Sequence, residues 1–436
     1  MSLADAGLRP RIHYGWVMVA VTFIVLIGAS GFRSAPGILI VPLQDAFGWD
    51  RATVSLAVSI NLILFGFMGP FAAALMERFG IRAVVTGALL TVATGAALTT
   101  LMTAPWQLYL LWGVLVGVGT GSMATVLAAT VANRWFVKRR GLVTGLLTAA
   151  SATGQLAFLP SLAWLVSHHG WKSVSIAVAA ATLAVIPIVL LFARNHPADV
   201  GLLPYGATGE EPPAGPRANP LVAAFASLRM AVGSTPFWLL AGSFFICGLT
   251  TTGLMGTHLI PAGMDHGMTE IAAANLLALI GVFDIIGTTI SGWLTDRIDP
   301  RRLLFIYYGL RGASLAVLPI AFDSPRFVLI AFVVFYGLDW VATVPPTIAL
   351  ATKHFGVTQA PLVFGWIFAA HQLGAAFAAY AAGVLRTEFG NYTLAFTGAA
   401  WMSVLAAVMV LRIAGSSSPR TGGRPLTPLA VQGHGD

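Results

Sequence analysis

The sequence predicts an all-α membrane protein, with twelve transmembrane helices arranged as two six-helix pseudo-repeats. Three observations point there. Of 436 residues, 57% are hydrophobic and only 9% are charged, against about 25% charged in a soluble domain. Twelve apolar stretches are each long enough to cross the hydrocarbon core, which takes about 20 helical residues. A charged turn after the second stretch recurs after the eighth.

So few charges could not keep this surface in water, which excludes a soluble enzyme, a nucleic-acid binder and a disordered chain. The net charge of +8 is therefore no nucleic-acid signal, because excess Lys and Arg in a membrane protein marks cytoplasmic loops. The single cysteine, Cys247, excludes an intramolecular disulfide and a cysteine-based metal site. No cofactor is expected. The partners implied are the lipid bilayer and a small solute.

A short polar head with Arg9, Arg11 and His13 leads into the first span, roughly 16–41. That span is too long for a signal-peptide core and lacks a small-residue cleavage pattern, so it is expected to be retained. Spans two to six cover roughly 52–76, 82–103, 105–132, 141–166 and 172–193. The fourth carries Gly113, Gly117 and Gly121, and the fifth Gly141, Gly145 and Ala149. Small residues four apart on one face let helices pack closely. Lys138, Arg139 and Arg140 would anchor the start of the fifth span at the anionic inner leaflet. Residues 194–236 form the one long polar insert, with Pro197, Pro204, Glu210-Glu211-Pro212-Pro213 and Pro216, a composition that resists folding. Its end, Leu221 to Ala231, has the pattern of a short amphipathic helix on the membrane surface. Spans seven to twelve cover roughly 237–262, 270–294, 303–321, 326–352, 360–385 and 392–413. The prolines inside spans, among them Pro160, Pro187, Pro319 and the Pro345-Pro346 pair, are tolerable where neighbouring helices satisfy the freed backbone groups. The domains expected are thus an N-terminal half (1–193), a cytoplasmic linker (194–236), a C-terminal half (237–414) and a disordered tail (415–436).

With both termini inside, eighteen of the 24 Lys and Arg residues fall on the cytoplasmic side and four on the other. This asymmetry supports the topology and an inner-membrane location. The repeated turn lies on the same side. It reads Leu75-x-Glu77-Arg78-x-x-x-Arg82 first and Leu294-x-Asp296-Arg297-x-x-x-Arg301 second, the acids 219 positions apart. Such a cluster can pin neighbouring helix ends in one conformation and release them in another.

The repeated turn resembles the loop signature of the major facilitator superfamily, over the whole membrane region. Two further stretches are similar to its monocarboxylate porter branch and the related oxalate/formate antiporters. These are His13-Tyr14-Gly15-Trp16, and the run from Trp135-Phe136-Val137-Lys138-Arg139-Arg140 through Leu142 and Gly145 to Ala149-Ala150-Ser151 and Gly154. The resemblance implies a secondary transporter that carries a small monocarboxylate with a proton. Asp284 matches the branch's eighth-span aspartate, but Thr288 stands where its arginine would be. Arg11 replaces an aspartate ahead of the first span. Arg33 lies one position from the branch's first-span lysine.

Four formal charges fall well inside spans: Arg33, Asp284, Arg311 and Asp339. Each would cost at least about 2.5–3.5 kcal/mol facing lipid at the bilayer centre, so each is a candidate site residue. Counting about 1.5 Å per residue puts Asp284, Arg311 and Asp339 at nearly one depth, with Arg33 further out. One reading is a static Arg311–Asp339 ion pair across spans nine and ten. The other makes Arg311 or Arg33 the anion-binding group, since a guanidinium donates two parallel hydrogen bonds to a carboxylate. Asp284 or Asp339 would then exchange a proton whose affinity responds to the arriving anion. His371, in the titration range suited to proton exchange, is a further proton candidate. His258 near the outer end of span seven and Tyr336 are candidate substrate contacts.

The sequence holds no phosphate-binding loop, no metal-ligand spacing, no Gly-x-Ser with a partnered histidine and no His-Glu-x-x-His. The expectation is a secondary active transporter of a small organic anion, proton-coupled and working by alternating access. An anion exchanger, a drug or metabolite efflux carrier of the same fold, and a non-transporting membrane sensor stand as alternatives.

Overall fold

The apolar stretches become helices whose ends are set by local chemistry. A computed structural model describes residues 12–123, 125–207 and 220–413. The expected tail and residues 208–219 of the linker lie outside the described residues. So do the side chains of Arg33 and of several residues in the fourth and fifth spans, among them Gly141, Gly145 and Ala149.

Helix α1 (Tyr14–Phe47) starts where His13 Nδ1 accepts the Gly15 N–H at 3.1 Å. Helix α2 (Arg51–Phe79) is capped by Asp50, whose carboxylate accepts the Thr53 N–H at 2.7 Å, satisfying a backbone donor the helix cannot. One residue, Gly80, then turns the chain into α3 (Ile81–Thr99). Its φ of 84° is open to glycine and strained for other residues. Pro105 begins α4 (Pro105–Trp135), followed by α5 (Arg140–His169) and α6 (Trp171–Phe192). The second half comprises α7 (Thr235–Asp265), α8 (Glu270–Thr295), α9 (Pro300–Phe322), α10 (Arg326–Gly356), α11 (Gln359–Phe389) and α12 (Thr393–Leu411). Helices α4 and α7 each widen into a π-helical stretch, at Tyr109–Val116 and Leu249–Met255. The cores of these twelve helices follow the expected spans, with the first running six residues longer at its outer end. Among the described residues, ten helices are individually long and apolar enough to cross a membrane. The other two, α1 and α5, are helices of 34 and 30 residues.

Packing repeats with the sequence. In the first half α1 lies on α5 and α6, α2 on α4, and α3 on α6. In the second, α7 lies on α11 and α12, α8 on α10, and α9 on α12. Adding six to each number in the first set gives the second. The seams between halves obey the same rule, because α2 meets α11, α5 meets α8, and α1 meets α7. These are the contacts of two six-helix pseudo-repeats related by a pseudo-two-fold axis. Large apolar side chains such as Phe335, Ile320 and Trp401 lie more than 60% exposed on the outside of the bundle, a surface that water would not tolerate but lipid would. The chain is a multi-pass membrane protein.

One part of the linker departs from expectation. Residues 194–207, within the stretch whose composition resists folding, are ordered. Tyr205 donates its N–H to Trp135 O at 2.8 Å, and its carbonyl accepts from Val137 and Lys138 at 3.0 and 3.1 Å. Its ring packs against His13, Trp16 and Phe136. Asn195 Oδ1 accepts the Arg82 N–H at 3.1 Å. Backbone pairing and one aromatic anchor thus override the local composition. The surface helix Pro220–Ala231 forms as expected and is held on α11, where Trp366 Nε1 donates to Ala224 O at 2.9 Å.

Candidate functional site

Helix α10 stops being regular near the middle of its length. It is α-helical over Arg326–Asp339, passes through turns at 340–343, and resumes at Val344. Pro345 and Pro346 have no N–H to give, so carbonyls before them need other donors. Side chains from two helices, α8 and α9, close the gap. Arg311 Nη2 donates to Asp339 O at 2.6 Å and Trp340 O at 3.2 Å. Ser291 Oγ donates to Ala342 O at 2.5 Å. Asp284 Oδ1 accepts the Val341 N–H at 2.9 Å and the Thr288 hydroxyl at 2.8 Å.

These bonds place most of the expected mid-membrane charges in one cluster. Arg311 is wholly buried, and its Nε donates to Asp339 Oδ2 at 2.6 Å. Its Nη1 reaches Cys247 Sγ at 3.1 Å and Thr250 Oγ1 at 3.3 Å. Arg311 and Asp339 form an ion pair across α9 and α10 in this conformation, and every nitrogen of the guanidinium is engaged inside the second half. Tyr336 is also fully buried, donating its hydroxyl to Thr250 O at 2.7 Å and stacking on Phe332. Neither side chain faces open space in this conformation. Asp284 differs, because both of its hydrogen bonds come from neutral groups.

Beside this cluster lies the axis between the halves. A Cβ on Gly37 of α1 would come within 3.0 Å of Gly256 O in α7, and one on Gly256 would meet the Trp340 ring at 3.9 Å. Arg33 sits one helical turn before Gly37 on α1. His371 packs between Phe244 and Phe368, parallel to the latter at 6°. Its backbone carbonyl lies so close to Gly248 that no Cβ could stand there.

The repeated turns are used unequally. Glu77 accepts from Arg134 Nη2, at the end of α4, at 2.6 Å. In the second copy, Arg301 pairs with Asp299 rather than Asp296, at 2.5 Å, and donates to Ile413 O at 3.2 Å. Asp299 caps α9 through the Arg301 N–H, so the short reach across the cap decides the pairing. The adjoining guanidinium holds the Asp299 carboxyl down at about 2. Arg297 lies over the Trp293 ring at 4.1 Å, and Arg78 over Phe79 at 5.3 Å.

His258 belongs to a network the sequence did not suggest. At the end of the bundle opposite the repeated turns, Arg51 donates to both carboxylate oxygens of Asp265, at 2.9 and 2.7 Å. It also donates to Tyr392 Oη at 2.9 Å and to Gln44 Oε1 at 2.7 Å. Arg386 reaches the same Asp265 at 2.7 and 3.3 Å. His258 Nε2 donates to Ala379 O at 2.7 Å, which leaves Nδ1 to accept from Tyr392 at 3.0 Å. Arg51, Asp265 and Arg386 read in the sequence only as charges at span ends. The one available signal was opposite charge at a common outer depth.

Two pseudo-repeated halves, small-residue seams between them and buried charges at mid-membrane define a carrier-type membrane transporter, not an enzyme. The chain belongs to the Major Facilitator Superfamily, whose sequence profile matches residues 21–358 and 259–432. It is 26% identical over 403 residues to the uncharacterized MFS-type transporter YcxA of Bacillus subtilis, covering 89% of this chain and 92% of that one. It is 29% identical over 390 residues to monocarboxylate transporter 13 of Bos taurus, covering 89% and 86%. Among solved structures, the D-xylose-proton symporter superposes with a TM-score of 0.72 at 14% identity, covering 92% of this chain and 98% of that one. An inward-facing bacterial homologue of the human lysosomal transporter Spinster gives 0.68 at 18%, covering 93% and 96%. At these identities the solved structures speak to the fold alone.

Proposed function

We propose that this protein is a secondary active transporter of a small organic anion of the monocarboxylate type, moved together with a proton by alternating access. It would sit in the inner membrane with both termini cytoplasmic, and the halves 1–193 and 237–414 would rock about the central axis. Asp284 carries the reading. It is a carboxylate near mid-membrane, 8% exposed, held by a hydroxyl and an amide rather than by an ion pair. It can therefore take up and release a proton without breaking a salt bridge. Likeness to monocarboxylate transporters over most of their length supports the substrate class. With Arg311 committed to Asp339, Arg33 on α1 is the proposed anion contact. The repeated turns, with Glu77, Arg78 and Arg82 matched by Asp296, Arg297 and Arg301, are the proposed conformational switch on the cytoplasmic side.

The test is uptake of acetate, lactate and pyruvate by proteoliposomes, with and without an imposed pH gradient. A gradient should drive accumulation in the parent. In Asp284→Asn, whose amide oxygen can still accept both hydrogen bonds, exchange should persist while gradient-driven accumulation disappears. Arg33→Ala should abolish binding in a protein that still folds. Failure of all three acids to move would overturn the substrate class, and unchanged gradient dependence in Asp284→Asn would overturn the proton role.

A further inference from the structure

We infer that Arg51 and Asp265 are the latch that holds the outer end of the transporter shut, and that their bond breaks and re-forms once in every cycle. Among the described residues this is the one ion pair that joins the two halves, since Arg51 opens α2 and Asp265 closes α7. It is bidentate, and the Arg51 side chain is only 8% exposed, so water competes poorly for it. Charge-assisted, two-pronged pairs of this kind are the strong ones. Around it, Arg51 also reaches Tyr392, and the Ala52 N–H reaches Thr387 Oγ1 at 3.4 Å. Every one of these partners lies in the second half.

The network is also built to come apart. Gln44 belongs to the first half and stays with Arg51 when the halves separate. Arg386 belongs to the second half and stays with Asp265. Each charge therefore keeps one partner on its own side after the latch opens. Arg386 still offsets the Asp265 charge, and Gln44, though neutral, still satisfies an Arg51 N–H donor; a charge left buried with neither kind of partner is severely destabilising. The arrangement lowers the penalty of opening without weakening the closed state.

Inward from the latch, α2 and α11 meet through Ser55, Val58, Ser59 and Leu62 against Ala375, Ala376, Ala379 and Gly383. A cysteine in place of Val58, in a Cys247→Ser background, reports on this seam. A membrane-impermeant thiol reagent added from the outer side reaches it when the latch is open. Glu388→Cys, exposed at the same end, should label at one rate throughout, marking the accessible side and a folded protein. Because hydrogen bonds between charged groups are the stronger ones, Arg51→Gln and Asp265→Asn should each raise Val58→Cys labelling at least about tenfold. Arg51→Lys, which keeps the charge and loses the fork, should lie between. Arg386→Gln removes a bond within one half and should change the rate less than about threefold. Unaltered labelling in Arg51→Gln and Asp265→Asn, or an equal rise with Arg386→Gln, would overturn the latch. The reading does not depend on the substrate, since failed anion uptake with a working latch would fault the substrate class alone.

Discussion

Replacing Arg311 by methionine separates a structural arginine from a substrate-binding one. The guanidinium is fully enclosed and satisfies Asp339 Oδ2 and two backbone carbonyls at the break in α10. Its removal strands the Asp339 carboxylate, whose Oδ1 already has no protein partner. Breaking a buried ion pair from one side costs about 3–5 kcal/mol. Removing both charges, as Arg311→Met with Asp339→Leu, abolishes that charge penalty. It leaves the unpaired carbonyls, worth about 1–3 kcal/mol for a buried group. The double variant should therefore unfold at a higher temperature than the single one and below the parent. Thermal unfolding in detergent, followed by size-exclusion fluorescence, measures the order of the three. If Arg311→Met unfolded with the parent and lost only its stabilisation by added carboxylates, the arginine would be a ligand to the substrate and this account of α10 would be wrong.

Other expectations follow from named contacts. A Cβ on Gly383 would lie 2.5 Å from Ser55 Oγ. Gly383→Val should therefore disfavour the outer-closed state by about 1–3 kcal/mol of overpacking, seen as faster labelling of Val58→Cys. Arg134→Gln removes the guanidinium that pairs with Glu77 and should slow transport several-fold. Because Arg134 is only 9% exposed and also donates to Met76 O, the unfolding temperature should fall as well, and flux unchanged from the parent would refute a switching role. The Asp299 carboxyl, held at about 2 by Arg301, is ionised throughout pH 5–8. Its pairing is fully present above the ordinary carboxylate value and is lost as pH falls toward 2. Asp299→Asn should thus leave the pH profile of uptake between 5 and 8 unshifted, and a displaced profile would show that the pair takes part in coupling.

The fold was legible because lipid imposes one rule everywhere: long apolar stretches must satisfy their own backbone, and they do so as helices. The Glu77 and Asp296 turns announced the repeat, and the +6 packing rule repeats it in space. The depth count that aligned Arg311 with Asp339 also anticipated their pairing, though depth alone left open whether the arginine was free. Other features have no local signature. Arg51 and Asp265 lie 214 positions apart, and each looks like an ordinary span-end charge until helices from opposite halves bring them together. Nor did sequence indicate that Asp284 would bond to the α10 backbone. Pro345-Pro346 disfavours regular helix just before it, but which side chains stitch that break depends on neighbours from α8 and α9. In the second turn, Arg301 pairs with Asp299 at its own helix start, a partner that lies outside the repeated pattern.

The α2–α11 seam also has a mechanical meaning. Most of its contacts are small residues, with Gly66 of α2 seated against Gln372 and Gly383 of α11 against Ser55, and Val58 and Leu62 are the larger side chains set against alanines. A surface with so few large side chains has little to disengage, so one helix can tilt on the other with little friction. From Gly66 to Arg51 the helix runs about 22 Å at 1.5 Å per residue. With Gly66 as fulcrum, a tilt of about 10° carries the rim roughly 4 Å over that length, beyond the reach of the bonds to Asp265. The tie stands at the far end of the lever, where a small rotation at the middle of the membrane has its greatest travel.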